Sequence, residues 1–525
     1  MKILNKHTLY ETLASRFDND AKKLSDIPNP SLLHDAPKAA KKIADAIREN
    51  KRITLVGDYD VDGVSSTAIM VDFFRQIPYP LEAIIPNRFR DGYGVSPNVL
   101  QRIDADLVIT VDNGISAIEA AKICKDRGIE LIITDHHTPS EILPEAYAIV
   151  DPKLDSCEYP FKEICGAQVA WLLLGLVKKE LNLKINMKQF LDILAIAIIA
   201  DIMPLIDINR TLVKEGLKVL ITSQRPSSII IRDFLNKSKI TSEDIAFNIA
   251  PRINSAGRLE DASIALDFYT AKDINGAYKQ FELLGQLNDL RKETEAQTTA
   301  YAISQASHDA KVIVVSGEDW HEGVVGIVAA RLVDRFGVPA IVLSIKDGVA
   351  KGSARSIGDV NIYELIKQNE HYLSKFGGHK MAAGLGLDAN KIDDFTHAIN
   401  KSAQSIDAKD FIPKDEIMGT LETQEIDLEL LQLFEEFEPY GEANPRPSFM
   451  VKDAEIVEIK TMGKDKNHCR IIIRQNKHDR KTLELILFKQ VLEMPQDKKL
   501  SCSYTITKNE WNNRVSTQML VKKLY

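Results

Sequence analysis

The chain has 525 residues, 44% apolar and 27% charged, close to the globular average. Wholesale disorder, collagen and coiled coil are thereby excluded, and ~150 residues per domain predicts three to four domains. The net charge of −8 argues mildly against a nucleic-acid partner, but it hides a split. Residues 446–525 carry 17 Lys and Arg against 9 Asp and Glu, a net of +8, leaving −16 for the preceding 445. A basic module on an acidic body is predicted, and such a body can house a site built from carboxylates. The five cysteines include no C-x-x-C pair and are odd in number, which predicts reduced thiols and a cytoplasmic protein. Residues 1–17 lack an apolar leader region. The longest apolar run, 190–206, is interrupted by Asp192, Asp201 and Pro204, so no membrane span or membrane partner is expected.

In chain order, 1–35 is a polar lead-in and 36–49 has helical spacing. Strands are predicted at 52–56, 81–85, 107–111, 131–134 and 148–150, with helices at 64–74 and 117–127 between them. Continuous apolar strands alternating with helices predict a parallel α/β sheet. Polar residues cluster just after each strand, at the carboxyl edge where open α/β sheets bind ligands. Apolar helices follow at 167–180 and 187–202. A long polar helix at 272–306 suits a connector between two lobes. A second α/β unit starts with strand 311–315, helix 323–335 and strand 340–344. Residues 401–447 read as an acidic linker. Five short strands from 454 to 521 predict a small β-barrel of OB type. The predicted domains are 1–35 lead-in, 36–206 catalytic, 207–309 helical connector, 310–400 substrate-binding, 401–447 linker and 448–525 nucleic-acid-binding barrel.

Four motifs carry the chemistry. The first is Gly57-Asp58-Tyr59-Asp60-Val61-Asp62-Gly63, three alternating carboxylates leaving a strand. Such crowding is unfavourable unless cations are bound; a solvated acidic turn is the alternative. An EF-hand is excluded because the twelfth position from Asp58 is Ile69, not Glu. The second is Asp112-Asn113-Gly114, by itself an Asx-type turn. The third is Asp135-His136-His137, surface residues or metal ligands. The fourth is Asp201, in an apolar helix where a carboxylate needs a partner, whether an Arg or a metal. Asp58, Asp60, Asp112 and His136 each follow a strand of one sheet and should converge at its edge. Mostly carboxylates with one or two imidazoles suit Mn²⁺ or Mg²⁺, and bridging carboxylates imply two ions, the arrangement used for phosphoester hydrolysis. Downstream, Gly352-Ser353-Ala354-Arg355-Ser356 and Phe376-Gly377-Gly378-His379 offer hydroxyls, a guanidinium, backbone N–H groups and an imidazole for a phosphate. A plain turn is the alternative for the second of these. Arg252 and Arg258, within Pro251-Arg252-Ile253-Asn254-Ser255-Ala256-Gly257-Arg258, are either further phosphate contacts or structural salt bridges.

These motifs resemble the DHH phosphoesterase superfamily, and the Gly-Gly-His half with Gly323-Val324-Val325-Gly326-Ile327-Val328-Ala329 ahead of it resembles the associated DHHA1 domain. The 251–258 motif and Glu438-Pro439-Tyr440-Gly441-Glu442-Ala443-Asn444-Pro445 narrow the resemblance to the RecJ family of single-strand-specific 5′→3′ exonucleases. It covers residues 30–525. It implies that Asp58, Asp60, Asp112, His136 and Asp201 ligate two divalent ions, Mn²⁺ or Mg²⁺. It implies that His137 lies near the metals or the scissile phosphate, with Asp135 orienting the histidines. Arg355 and His379, with Ser353, Ser356, Gly377, Gly378, Arg252 and Arg258, would bind substrate phosphate. Some relatives carry a His where this chain has Val56, which removes one possible ligand. Single-stranded DNA is the implied substrate, a helicase and a single-strand-binding protein the implied partners, and repair and recombination the implied roles. Tyr504 or Trp511 would stack bases unless they are core residues. Two alternatives remain: a small-substrate enzyme of the same superfamily, which needs no basic third domain, and a DNA-binding scaffold with a dead site, which needs no complete ligand set.

Overall fold

The computed structural model describes residues 2–18, 20–413, 416–463, 466–475, 481–511 and 514–525, without the side chains of 510, 511 and 514. A two-residue strand, β1 (Ile3–Leu4), opens the chain and belongs to the last sheet. The first body is a five-stranded, wholly parallel sheet in the order β3-β2-β4-β5-β6. Its strands are β2 (Ile53–Val56), β3 (Glu82–Ile84), β4 (Leu107–Val111), β5 (Glu130–Thr134) and β6 (Ala148–Val150). Every residue of β2 and β4 is buried, because helices cover both faces, and this is why those strands read as unbroken apolar runs. From β2 the chain steps to one side to make β3, then crosses back to make β4. The crevice of an open sheet lies at such a reversal, here between the ends of β2 and β4. Those ends carry Asp58 and Asp112.

Helices Asp207–Thr222, Pro226–Leu235, Ala250–Leu259 and Ser263–Tyr269 lead to the 32-residue helix Ile274–Gln305, ~48 Å long at 1.5 Å per residue. The second lobe is a mixed sheet in the order β10-β11-β9-β8-β7. Strands β7 (Ile313–Glu318) and β8 (Ala340–Lys346), with helix Val325–Phe336 between them, stand where they were expected. Strands β9 (Val349–Arg355), β10 (Leu373–His379) and β11 (Ala382–Asp388) were not foreseen, and Gly377-Gly378, for which a plain turn was the alternative, lies within β10. A Cβ on Gly352 would sit 2.2 Å from the Val342 carbonyl, so close strand approach is what that glycine permits.

The C-terminal body consists of β12 (Ile417–Leu421), β13 (Ser448–Met462), β14 (His468–Arg474), β15 (Leu483–Leu487), β16 (Lys499–Trp511) and β17 (Arg514–Leu524). The pairing β13-β14-β15-β17-β16 closes on itself through β13–β16, a five-stranded barrel with the OB-fold order. The stretch expected to be a linker contributes to this barrel. Strand β12 runs parallel to β13, β1 adds to β12, and helix Leu428–Glu436 puts Leu430 and Phe434 into the barrel core beside Leu9 and Leu13. The acidic composition of 401–447 masked that apolar stripe. Among the described residues no helix is long and apolar enough to cross a membrane. All five cysteines are unpaired and buried.

Candidate functional site

Strand β2 runs into Asp58, and two residues on Asp60 caps helix Val61–Phe74, accepting from Gly63 N–H at 3.1 Å. Strand β4 runs into Asp112, whose φ of 63° turns its backbone sharply. The Asn113 amide donates to the Val56 and Val111 carbonyls at 3.0 and 2.9 Å, tying the ends of β2 and β4 together. Asp62 accepts from the Gly166 and Ala167 N–H groups at 2.6 and 2.9 Å, at the start of helix Gly166–Glu180. A Cβ on Gly166 would lie 2.5 Å from that of Asp112, so only glycine lets this helix close on the cluster. After β5, Asp135 accepts from the N–H groups of His136 (2.8 Å) and Ile115 (2.9 Å) and pairs with Nδ1 of His137 at 2.7 Å. Asp201 ends helix Leu191–Ala200.

These elements converge as expected. Nε2 of His136 lies 3.2 Å from Asp112, 3.6 Å from Asp201 and 3.7 Å from Asp62. Three overlapping groups have donor atoms within 4.8 Å of one another: Asp58, Asp60 and Asp112; Asp62, His136 and Asp201; Asp112, His136 and His137. Asp112 and His136 each belong to two groups, so the donors surround neighbouring positions. Burial, then repulsion from Asp62, Asp60 and Asp58, pushes the Asp112 carboxyl well up, and burial with Asp60 does the same to Asp58. Burial, then Asp62 and Asp60, raises Asp201 to about 9. Burial and the neighbouring His137 lower His136 to about 3, leaving a neutral imidazole with a lone pair to give. Burial opposes the charge on His137, but the Asp135 bond outweighs it and lifts that ring to about 9. Oxygens of Asp58, Asp112 and Asp201 are buried and have no hydrogen-bond partner. Unpaired, mutually repelling buried carboxylates beside a neutral imidazole fit divalent cations.

Across the gap, Arg355 ends β9 and donates to the Ala354 carbonyl at 2.8 Å. Gly326, near the start of helix Val325–Phe336, leaves room for it and for Ser353, each 3.1 Å from where a Cβ would be. Pairing of β9, β11 and β10 puts Arg355, Ala382 and His379 in one row across the sheet, with two strand spacings of ~4.8 Å between Arg355 and His379. Gly377 and Gly378 precede His379 in β10, an exposed edge strand and not a turn. Arg258 donates to the Gly323 carbonyl at 3.2 Å, joining the lobes. Burial, then Arg88, lowers it to about 10; Asp60 opposes this, while Arg291 and Arg355 add to it, so these groups lie near enough to act on one another.

Three expectations do not match this geometry. Arg252 is packed away, its guanidinium 4.3 and 5.3 Å from the Phe234 and Phe281 rings. Ser356 is buried, and its hydroxyl donates to the Val360 carbonyl at 2.6 Å. Tyr504 lies in the barrel core against Phe449 and is unavailable for stacking, while the side chain of Trp511 lies outside the described residues. The sequence reading also missed residues. Asp62 stood in the first motif without a role. Arg88 follows β3 at the same sheet edge and lies over the Tyr59 ring at 4.7 Å; its position after a strand was the available signal. Arg291 sits on the long helix, where nothing local marked it.

The DHH family N-terminal domain matches residues 52–198, the DHHA1 domain 309–405 and the RecJ OB domain 417–523. The single-stranded-DNA-specific exonuclease RecJ of Haemophilus influenzae is 32% identical over 95% of this chain and 92% of its own length. The chain belongs to the RecJ family. The RecJ protein of Bacillus subtilis is 35% identical over 95% of this chain, which spans 64% of that protein. RecJ of Thermus thermophilus has been solved with Mn²⁺ (TM-score 0.81, 29% identity, 94% of this chain and 72% of that one). Its Mg²⁺ complex matches with TM-score 0.79 and 27% identity over 99% of this chain and 74% of that one. As a RecJ-family member the protein is a hydrolase, and its cofactor is divalent metal, Mn²⁺ or Mg²⁺.

Proposed function

We propose that this protein is a single-strand-specific DNA exonuclease that hydrolyses phosphodiesters from the 5′ end and releases 5′-mononucleotides. The observation that carries the reading is the buried, unpartnered carboxylate set around His136, with Arg258 acted on by Asp60 from that set and by Arg355 from the second lobe. Asp58, Asp60, Asp112, His136 and Asp201 would hold two divalent ions, and Asp62 would brace them from the helix it caps. The ions supply Lewis acidity, lowering the pKa of water and neutralising charge that builds on the phosphoryl oxygens. Asp135 fixes His137 through Nδ1, which leaves the other ring nitrogen to donate to a phosphate oxygen. Arg355, with Ser353 and the row leading to His379, would hold a phosphate from the second lobe, and Arg258 would neutralise it from between the lobes.

The acidic body carries the chemistry and the basic barrel tracks the backbone, so the −16 and +8 halves divide the work. We take 36–206 as the catalytic domain, 310–400 as the phosphate-binding domain and the barrel as beginning at β12. A helicase and a single-strand-binding protein would supply and present the strand, in repair and recombination in the cytoplasm. The test uses a 5′-phosphorylated single strand and its duplex with Mn²⁺, Mg²⁺ or EDTA. Metal-dependent mononucleotide release from the single strand, lost in Asp112→Ala, is expected. Cleavage of di- to tetranucleotides alone would point to a small-substrate enzyme, and binding without cleavage to a scaffold.

A further inference from the structure

A chain of charged side chains links the long helix Ile274–Gln305 to the second lobe, and it turns on one buried carboxylate. The Glu295 side chain is 9% exposed and is shared by two guanidiniums. Nη1 of Arg291, one helical turn before it and 12% exposed, donates to Oε2 at 2.5 Å. Nε of Arg331 donates to Oε1 at 2.8 Å. Arg331 belongs to helix Val325–Phe336 of the second lobe, which packs against the long helix. Nη2 of Arg291 donates to Oδ1 of Asn288, also buried, at 2.8 Å. Asn288, Arg291 and Glu295 follow at i, i+3 and i+7, so they share one face of the helix.

Packing alone is a poor reason for this arrangement. Two guanidiniums on one buried carboxylate pay a desolvation cost, and apolar residues of similar volume often stabilise a fold as well or better. What the triad does supply is a fixed direction. The bonds to Glu295 and Asn288 clamp both terminal nitrogens of Arg291, yet they use two of its five N–H donors. Arg291 lines the same cavity as Arg258, and Arg258 is acted on by Arg88, Arg291 and Arg355 together. Like charges so close favour dispersal into water, and Glu295 is the only carboxylate paired with Arg291 among the described residues. Helix Val325–Phe336 has a second tie to this group, because its Gly326 leaves the room that Arg355 and Ser353 occupy. One lobe helix therefore borders Arg355 directly and reaches Arg291 through Arg331 and Glu295.

We infer that Glu295 is the positioning residue that couples the second lobe to Arg291: through Arg331 it is fixed to helix Val325–Phe336, and through Arg291 it holds a guanidinium ready for a phosphate of the strand. Glu295 itself touches neither metal nor strand. This rests on the single-strand reading above and deepens it, since it makes Arg291 and Arg355 answer to one placement of the lobe.

The test is binding of oligo-dT in EDTA, where no strand is cut, over a range of salt concentrations. Glu295→Gln keeps the side-chain size and removes the charge. It should weaken binding by ~10-fold at low salt and flatten the slope of log affinity against log salt by ~0.7, the share of one phosphate contact on a single strand. Arg291→Ala should do the same, and the double variant should be no worse than either alone. Arg331→Ala should show part of the loss and Arg331→Lys should recover it, because one donor suffices for the Oε1 bond. Arg331 is 56% exposed, so neither substitution opens the core. An unchanged salt slope in Glu295→Gln, additive losses in the double variant, or wild-type binding by Arg331→Ala each overturns the coupling. A wild-type protein that binds no strand would sink the single-strand reading, and hydrogen exchange would then decide the lobe link. Helix Val325–Phe336 should exchange several-fold faster in Glu295→Gln, and equal rates overturn the link. The expected binding pattern in a protein that cuts nothing with Mn²⁺ would sink the exonuclease reading and leave the positioning role standing.

Discussion

The metal cluster and the strand-facing side of the gap are built in opposite ways. The cluster draws Asp58, Asp112 and His136 from three neighbouring strand ends of one parallel sheet, all buried, with the Asn113 side chain tying two of those ends together and the Gly166 and Ile115 N–H groups holding the adjacent Asp62 and Asp135. The cationic side takes Arg88, Arg258, Arg291 and Arg355 from the catalytic body, the connector and the second lobe. Several of these are half-exposed, and they come from separate elements of the fold. Buried like charges that need a common cation should fail together. Dispersed cations at a wet gap should fail one at a time, each by a modest factor.

The sharpest way to break that contrast is Asp112→Ala, which removes a donor shared by two of the three groups. Metal-assisted charge stabilisation is worth several kcal/mol, so kcat should fall on the order of 10³-fold or more, with the fold retained by circular dichroism. A loss as small as that from one arginine would mean that the cluster is not cooperative.

Proton linkage tests the same cluster without mutation. The folded, metal-free protein holds Asp201 at about 9, far above the ordinary carboxylate value of 3.8. Between those values the folded state keeps a proton that the unfolded chain has released, so metal-free stability falls as pH rises through the window. Metal binding needs the carboxylate and displaces that proton. Mn²⁺ affinity should therefore rise ~10-fold per pH unit for each proton displaced, up to about pH 9. Calorimetric titration at pH 6, 7 and 8 in buffers of different ionisation enthalpy gives both the affinity and the proton count. A pH-independent affinity would show that the carboxylates are already ionised.

Asp135→Asn should cost less, roughly 10–100-fold in kcat, the usual scale for a residue that orients a ligand or its neighbour. It also has a signature that structural damage lacks. Burial already disfavours the charged His137 ring, and without Asp135 only the smaller pull of Asp60 and Asp201 opposes it. By NMR, the His137 pKa in the metal-free protein should drop from about 9 to below the ordinary histidine value of 6.5.

The same contrast governs what could be read from the sequence. The cluster was legible because each of its motifs follows an apolar strand, and a parallel sheet brings such ends to one edge whatever the details of packing. Asp62 escaped assignment because its bonds are to Gly166 and Ala167, more than a hundred residues away. The barrel was legible from alternation between 454 and 521. Its extra strands, β12 and β1, were not, since a five-residue and a two-residue strand carry too little pattern to stand out. In the second lobe, glycines that permit close strand approach were indistinguishable from glycines that make turns. For the arginines sequence had least to offer, because a guanidinium over two phenyl rings and one facing a phosphate are the same letter.

Arg355 and Arg252 turn that last ambiguity into a measurement. Arg355→Ala should raise KM for the single strand by ~10-fold, since a charge-assisted bond to phosphate is worth roughly 1.5–3 kcal/mol, and Arg355→Lys should recover only part of it. Arg252→Ala should leave KM within about twofold. Its guanidinium lies against Phe234 and Phe281 and meets no part of the gap, so what it loses is a cation–π contact of about 0.5–2 kcal/mol. In a chain of 525 residues that becomes a fall in melting temperature of a few degrees at most, confined to the transition that includes the connector helices. Should Arg252→Ala instead raise KM as Arg355→Ala does, the connector would have to open toward the strand during binding. The strand-facing side would then extend behind the helix Ala250–Leu259, and the boundary between packing and recognition in this protein would shift by one helix.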